Sequence, residues 1–119
     1  MAEIYKMGAS LDSTNSPKEQ ENILKMFEGG DSVIIDMTDT TYVSSAGLRV
    51  LLYSYKVAVS KDLNVYLVGV CDDVKDIMDM TGFIEHFEIF DTMEECRKAI
   101  GDWKLKIDAK SRFIPDAWV

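Results

Sequence analysis

Residues 33–52 read VIIDMTDTTYVSSAGLRVLL, and their order sets the architecture. Val33, Ile34 and Ile35 form a short β-branched apolar run, tightly bounded, as a strand buried on both faces requires. From Ala46 the pattern changes period. Leu48, Leu51, Leu52, Tyr55 and Val59 recur at helical spacing through AGLRVLLYSYKVAVS, residues 46–60. Strand, loop and helix in this order are half of a parallel crossover unit. The loop follows the C-terminal end of the strand, where α/β sheets expose their working residues.

The same alternation extends in both directions. EIYKMGA, residues 3–9, reads as a short strand, and SLDSTNSP turns the chain. SPKE then starts a helix, with Ser16 as N-cap, Pro17 at the first helical position and Glu19 closing a capping box. Ile23, Leu24 and Phe27 form its stripe, and Gly29-Gly30 ends it. After the central unit, LNVYLVGV (63–70) is a second buried strand. DDVKDIMDMTG (72–82) is a helix with acids at its positive end, Val74, Ile77 and Met78 as its stripe, and Gly82 past its end. FEIF (87–90) is a short third strand. DTMEECRKAI (91–100) opens on an Asp91–Glu94 box and turns Met93, Cys96 and Ile100 inward. Four strands alternating with four helices specify an α/β domain with a mostly parallel central sheet. One domain is expected over residues 1–101. Residues 102–119 form an extension that prolongs the last helix, adds an edge strand or packs Trp103, Phe113 and Trp118 on the body.

Composition narrows the function. The chain has 119 residues, 47% hydrophobic and 29% charged, with no run of about 18 apolar residues to cross a membrane. MAEIYKMGAS lacks the apolar core of a secretory signal, so a cytoplasmic location is expected. A net charge of −8 repels phosphate backbones and argues against nucleic acid as partner. Cys71 and Cys96 lack the spacing of a zinc site or redox pair and read as reduced, mostly buried thiols. His86 is the only histidine, with no nucleophile placed beside it, and no Walker pattern or pyrophosphate-cradling glycines occur. No enzyme activity, cofactor or metal is expected. Asp36, at the end of its strand, either caps loop amides or faces a ligand at the rim.

The loop before the central helix holds more than capping needs. One of Ser44 and Ser45 suffices as N-cap, yet both stand there with Thr40 and Thr41 nearby. Gly47 lies in the first helical turn, and a missing side chain lets another surface approach the backbone.

With LDSTNSP before it and NVYLVGVCDDVKDIMDMTGFIEHFEIFDTMEEC after it, IIDMTDTTYVSSAGLRVLL resembles the STAS-domain family of anti-sigma factor antagonists, over about residues 4–100. The resemblance implies a four-stranded sheet with about four helices packed mainly on one side. The extra N-terminal strand of many members is expected to be absent or vestigial here. In that family the loop reads Asp-Ser-Ser/Thr-Gly-Leu, and the serine after the aspartate is phosphorylated. Anchoring on Gly47-Leu48 places Ser45 at the phosphoacceptor and Ala46 at the following Ser/Thr. Ser44 stands in place of the aspartate and is a second candidate.

The implied function is partner switching. The unmodified domain docks through Thr40, Thr41, Ser44, Ser45 and Gly47 and the outer side of the helix, with Arg49, Val50, Tyr53 and Lys56. Gly47 provides clearance for the partner. That partner is a serine kinase of histidine-kinase-like ATPase fold that doubles as anti-sigma factor, and a metal-dependent serine phosphatase reverses the mark. A monomer or weak dimer is expected. The alternatives are a small-molecule sensor, with Asp36, Thr40, Ser44 and Ser45 lining a nucleotide or lipid pocket, and an unmodified scaffold.

Overall fold

The computed structural model describes residues 2–101. In chain order the elements are β1 (Ala2–Lys6), β2 (Ser10–Leu11), α1 (Ser16–Glu28), β3 (Ser32–Asp36), β4 (Tyr42–Val43), α2 (Ser45–Ser60) and β5 (Val65–Val68). There follow α3 (Asp72–Met80), a 3-10 turn (Phe83–His86), β6 (Glu88–Phe90) and α4 (Met93–Cys96), which runs on as a wider turn over Arg97–Gly101. The extension expected at residues 102–119 lies outside the described residues.

β1, β3, β5 and β6 form a four-stranded sheet in that order, and every pairing is parallel. Register places Ile4 beside Ile34, Ile35 beside Leu67, and Leu67 beside Ile89. Side chains alternate across the pleat, so the apolar runs of β3 and β5 feed two cores. Val33, Ile35, Val65 and Leu67 join Ile23 and Phe27 of α1, Leu48 and Leu51 of α2, and Val74 and Met78 of α3. Ile34, Tyr66 and Val68 face the opposite way and meet Cys96 of α4. Three helices therefore cover one face and α4 lies on the other, an α/β architecture around a fully parallel four-stranded sheet.

Two parts of the fold were not expected. The first is a two-stranded parallel ladder, β2 with β4, pairing Ser10 with Tyr42 and Leu11 with Val43. Two residues are too few for an alternating pattern to stand out. The second is the width of α2's buried arc. Gly47, Leu48, Val50, Leu51, Ser54 and Ala58 are buried, whereas Val59 is 56% exposed. The helix packs on the sheet and also beside α1, so its apolar surface is broader than one stripe.

Both N-caps are corrected by one residue. Asn15, not Ser16, is the N-cap of α1, and Ser16 is the first helical residue with its hydroxyl bonded to the Asp12 carbonyl. Glu19 is thereby the fourth helical residue, one past the position that closes a box, and its carboxylate accepts the Tyr5 hydroxyl. Burial, and then this carboxylate, push the Tyr5 pKa up. At α4 the cap is Thr92 rather than Asp91, its Oγ1 accepting the Glu95 amide at 3.1 Å. The terminators behave as expected: Gly30 and Gly82 adopt φ of 87° and 79° after α1 and α3. Both cysteines are free, Cys96 buried and Cys71 half-buried.

Candidate functional site

The rim loop begins where β3 ends. Met37 donates its amide to Val68 O at 2.8 Å, which carries the chain out over the C-terminal edge of the sheet. Next the loop is fastened to the segment after β1. Thr40 Oγ1 donates to Gly8 O at 2.7 Å, Thr41 N to Ala9 O at 2.9 Å and Ser44 N to Leu11 O at 2.9 Å. These bonds and the β2–β4 ladder fix the direction from which α2 starts.

Ser44 and Ser45 have separate duties. Ser44 is the N-cap, extended at φ −83° and ψ 175°, and its Oγ accepts the Gly47 amide at 3.2 Å. Its carbonyl accepts the Leu48 amide at 2.8 Å. Ser45 is the first helical residue and its side chain is exposed. The capping requirement is thus met without the Ser45 hydroxyl.

Gly47 is explained from inside the molecule. A Cβ built on it would lie 2.3 Å from Leu11 O and 2.9 Å from Leu11 Cγ. Its lack of a side chain lets β2 press on the first turn of α2. That replaces the expectation that Gly47 clears space for a partner, and Gly47 itself is buried.

The other expected docking residues divide by burial. Thr41, Ser45, Arg49, Tyr53 and Lys56 are exposed, and the last four form one stripe at i, i+4, i+8 and i+11. Ser44 is half-buried. Thr40 and Val50, 1% and 3% exposed, offer no surface: Thr40 is held to Gly8, and Val50 belongs to the core. Tyr42, which sequence reading omitted, is 55% exposed and stands on β4 just before the serines. Its only signal was the contrast with inward Val43.

Asp36 acts on its own loop. Its Oδ1 accepts the amide and hydroxyl of Thr38, at 3.0 and 2.5 Å, and Lys6 Nζ approaches Oδ2 at 3.4 Å. Partial burial pushes the carboxyl pKa up, but the Thr38 bonds and Lys6 more than reverse this and hold it below the usual carboxylate value. Lys6 also reaches Asp39 at 3.3 Å.

His86 is far from the serines. It stacks on Tyr55, with centroids 5.1 Å apart. Tyr55 lies ten residues beyond Ser45 on α2, about 15 Å along the axis. The two border a small cavity of about 70 Å³ beside Val65 and Glu88, at the opposite end of the strands. Among the described residues no His, Cys, Asp and Glu cluster could hold a metal ion, and no helix is long and apolar enough to cross a membrane.

Residues 2–96 match the STAS domain family. An anti-sigma-B factor antagonist of Staphylococcus epidermidis is 30% identical over 78 residues, covering 65% of this chain and 72% of that one. Among solved structures, a sulfate transporter family protein from Wolinella succinogenes superposes with a TM-score of 0.73 at 21% identity, over 90% of this chain and 88% of that one. The anti-sigma factor antagonist SpoIIAA in its unphosphorylated form gives 0.64 at 14% identity, over 85% and 87%.

Proposed function

Because the chain belongs to the STAS-domain family, we propose that it is a partner switch of the anti-sigma factor antagonist type, controlled at Ser45. Unmodified, it binds a serine kinase of histidine-kinase-like ATPase fold that doubles as an anti-sigma factor. The kinase transfers the γ-phosphoryl of ATP to Ser45 Oγ: the new O–P bond forms, the β–γ bridge breaks, ADP leaves and the hydroxyl proton is lost. A metal-dependent serine phosphatase removes the phosphate by hydrolysis. The domain is substrate and ligand in this cycle, not catalyst, and works in the cytoplasm.

The observation that carries this reading is the division of labour between the serines. Ser45 is exposed at the first helical position while Ser44 satisfies the helix start. A phosphate on Ser45 therefore displaces no structural hydrogen bond and sits where backbone amides favour negative charge. It brings about −1.5 to −2 charges. Stripping water from that charge at an interface shaped for a neutral hydroxyl costs several kcal/mol, and about 4 kcal/mol is a thousandfold in affinity. The named relatives support the reading: one is an anti-sigma-B factor antagonist and one is a protein with an unphosphorylated form.

The sensor alternative has less support, because the Asp36 carboxylate is engaged by Thr38 and Lys6. The test is titration of the cognate kinase with wild type, Ser45→Ala and Ser45→Asp. Ser45→Ala should bind and gain no phosphate by mass, and Ser45→Asp should lose binding. Wild-type affinity in Ser45→Asp would overturn the switch.

A further inference from the structure

Arg49 lies one helical turn beyond Ser45, and both side chains are exposed. Helix α2, SAGLRVLLYSYKVAVS, contains no acidic residue, and its only charges are Arg49 and Lys56, in a chain of net charge −8. None of the ion pairs among the described residues uses Arg49. At the start of the helix, Ser44 takes the amides of Gly47 and Leu48, leaving those of Ser45 and Ala46 without an acceptor among the described residues.

The geometry points to Arg49 as the resident counter-ion of a phosphate on Ser45, so that the mark is gripped by the arginine of its own helix. This rests on the reading of Ser45 as the modified residue. Side chains at i and i+4 are neighbours, with Cβ atoms roughly 5–6 Å apart, and an anion N-terminal to a cation is the favoured order. The guanidinium fork engages two phosphate oxygens at once. Lys56, at i+11, is about 16 Å along the axis from Ser45 and does not compete.

The consequence concerns the docking stripe. Phosphorylation adds an anion and also withdraws the nearest cation from any acidic group on the partner. One modification thereby alters two contacts, with no movement of the backbone.

The test uses full-length chain with phosphoserine installed at position 45 during translation, so no kinase is required. Two measurements are made: the Arg49 Nε–H resonance, and the unfolding midpoint in a cycle of serine or phosphoserine at 45 with Arg or Gln at 49. Arg49→Gln is at an exposed site, and its unmodified midpoint checks that it folds. The Arg49 Nε–H resonance should move downfield on phosphorylation. Phosphoserine should raise the midpoint more in wild type than in Arg49→Gln, with Arg49→Lys retaining part of the difference. An unmoved resonance with additive midpoints would overturn the pairing. If instead the pairing is found and a cognate kinase neither binds nor phosphorylates the chain, it is the functional reading that fails.

Discussion

A side chain on Gly47 would collide with the carbonyl of Leu11, its Cβ only 2.3 Å from the oxygen. The start of α2 is thus fitted to β2 through bare backbone. Gly47→Ala improves intrinsic helix propensity by about 1 kcal/mol, yet overpacking of this kind costs about 1–3 kcal/mol. The obstacle is backbone, which cannot swing aside, so the clash should win. Thermal or denaturant unfolding should show net destabilisation; a stabilised Gly47→Ala would contradict the fit.

The two serines should separate by stability. Ser44→Ala removes the acceptor of the Gly47 amide and should cost about 1 kcal/mol, the usual effect of losing an N-cap. Ser45→Ala, at an exposed first-turn position, should stay within about 0.5 kcal/mol of wild type. Chemical denaturation of both variants decides it, and equal losses would mean that both hydroxyls are structural.

Val50 and Tyr53 should separate in the opposite sense. Val50→Ala truncates a core side chain that is 3% exposed and should cost about 1–3 kcal/mol of stability from lost burial and the cavity left behind. Tyr53→Ala, at a position 46% exposed, should leave the midpoint nearly unchanged and weaken binding to the kinase. Calorimetry and binding titration on the same samples make the comparison. A Tyr53→Ala chain that binds normally would remove Tyr53 from the docking stripe.

Asp36 gives the acid limb a defined sign. Its folded-state pKa lies below the ordinary value, so the unfolded chain takes up that proton more readily. The stability it contributes is fully present above its unfolded pKa and is lost as pH falls through the depressed folded value. Asp36→Asn should therefore flatten the loss of stability on acidification relative to wild type. Parallel curves in an unfolding series from neutral to acidic pH would show that Asp36 is not a source of the acid limb.

How much of this could be seen beforehand depended on the range of the interactions. The Val33–Ile35 run and the Ile23–Phe27 stripe carry their own period, so strands, helices and sheet class could be read locally. Ser16 and Asp91 satisfied the local capping rule, yet Asn15 and Thr92 hold those positions. At α1 a distant strand also takes part, since Tyr5 donates to the Glu19 carboxylate. The same limit applies at the rim. Ser45 was singled out through motif resemblance alone, and the structure adds only that its side chain is exposed. Thr40, Gly47 and Val50 looked equally available until Gly8, Leu11 and the core were placed around them.

The threonine at the loop's turn is bonded to a carbonyl 32 residues earlier in the chain. Such a contact joins segments far apart in sequence, and the entropy of closing that loop is offset only by the packing of the helix and strand between them. The environment of Ser45 is therefore a product of completed folding and is not encoded in its flanking residues. A synthetic peptide of residues 40–52 would offer an enzyme the same hydroxyl with none of its frame. An enzyme that distinguishes the two acts, in effect, as an inspector of the finished domain.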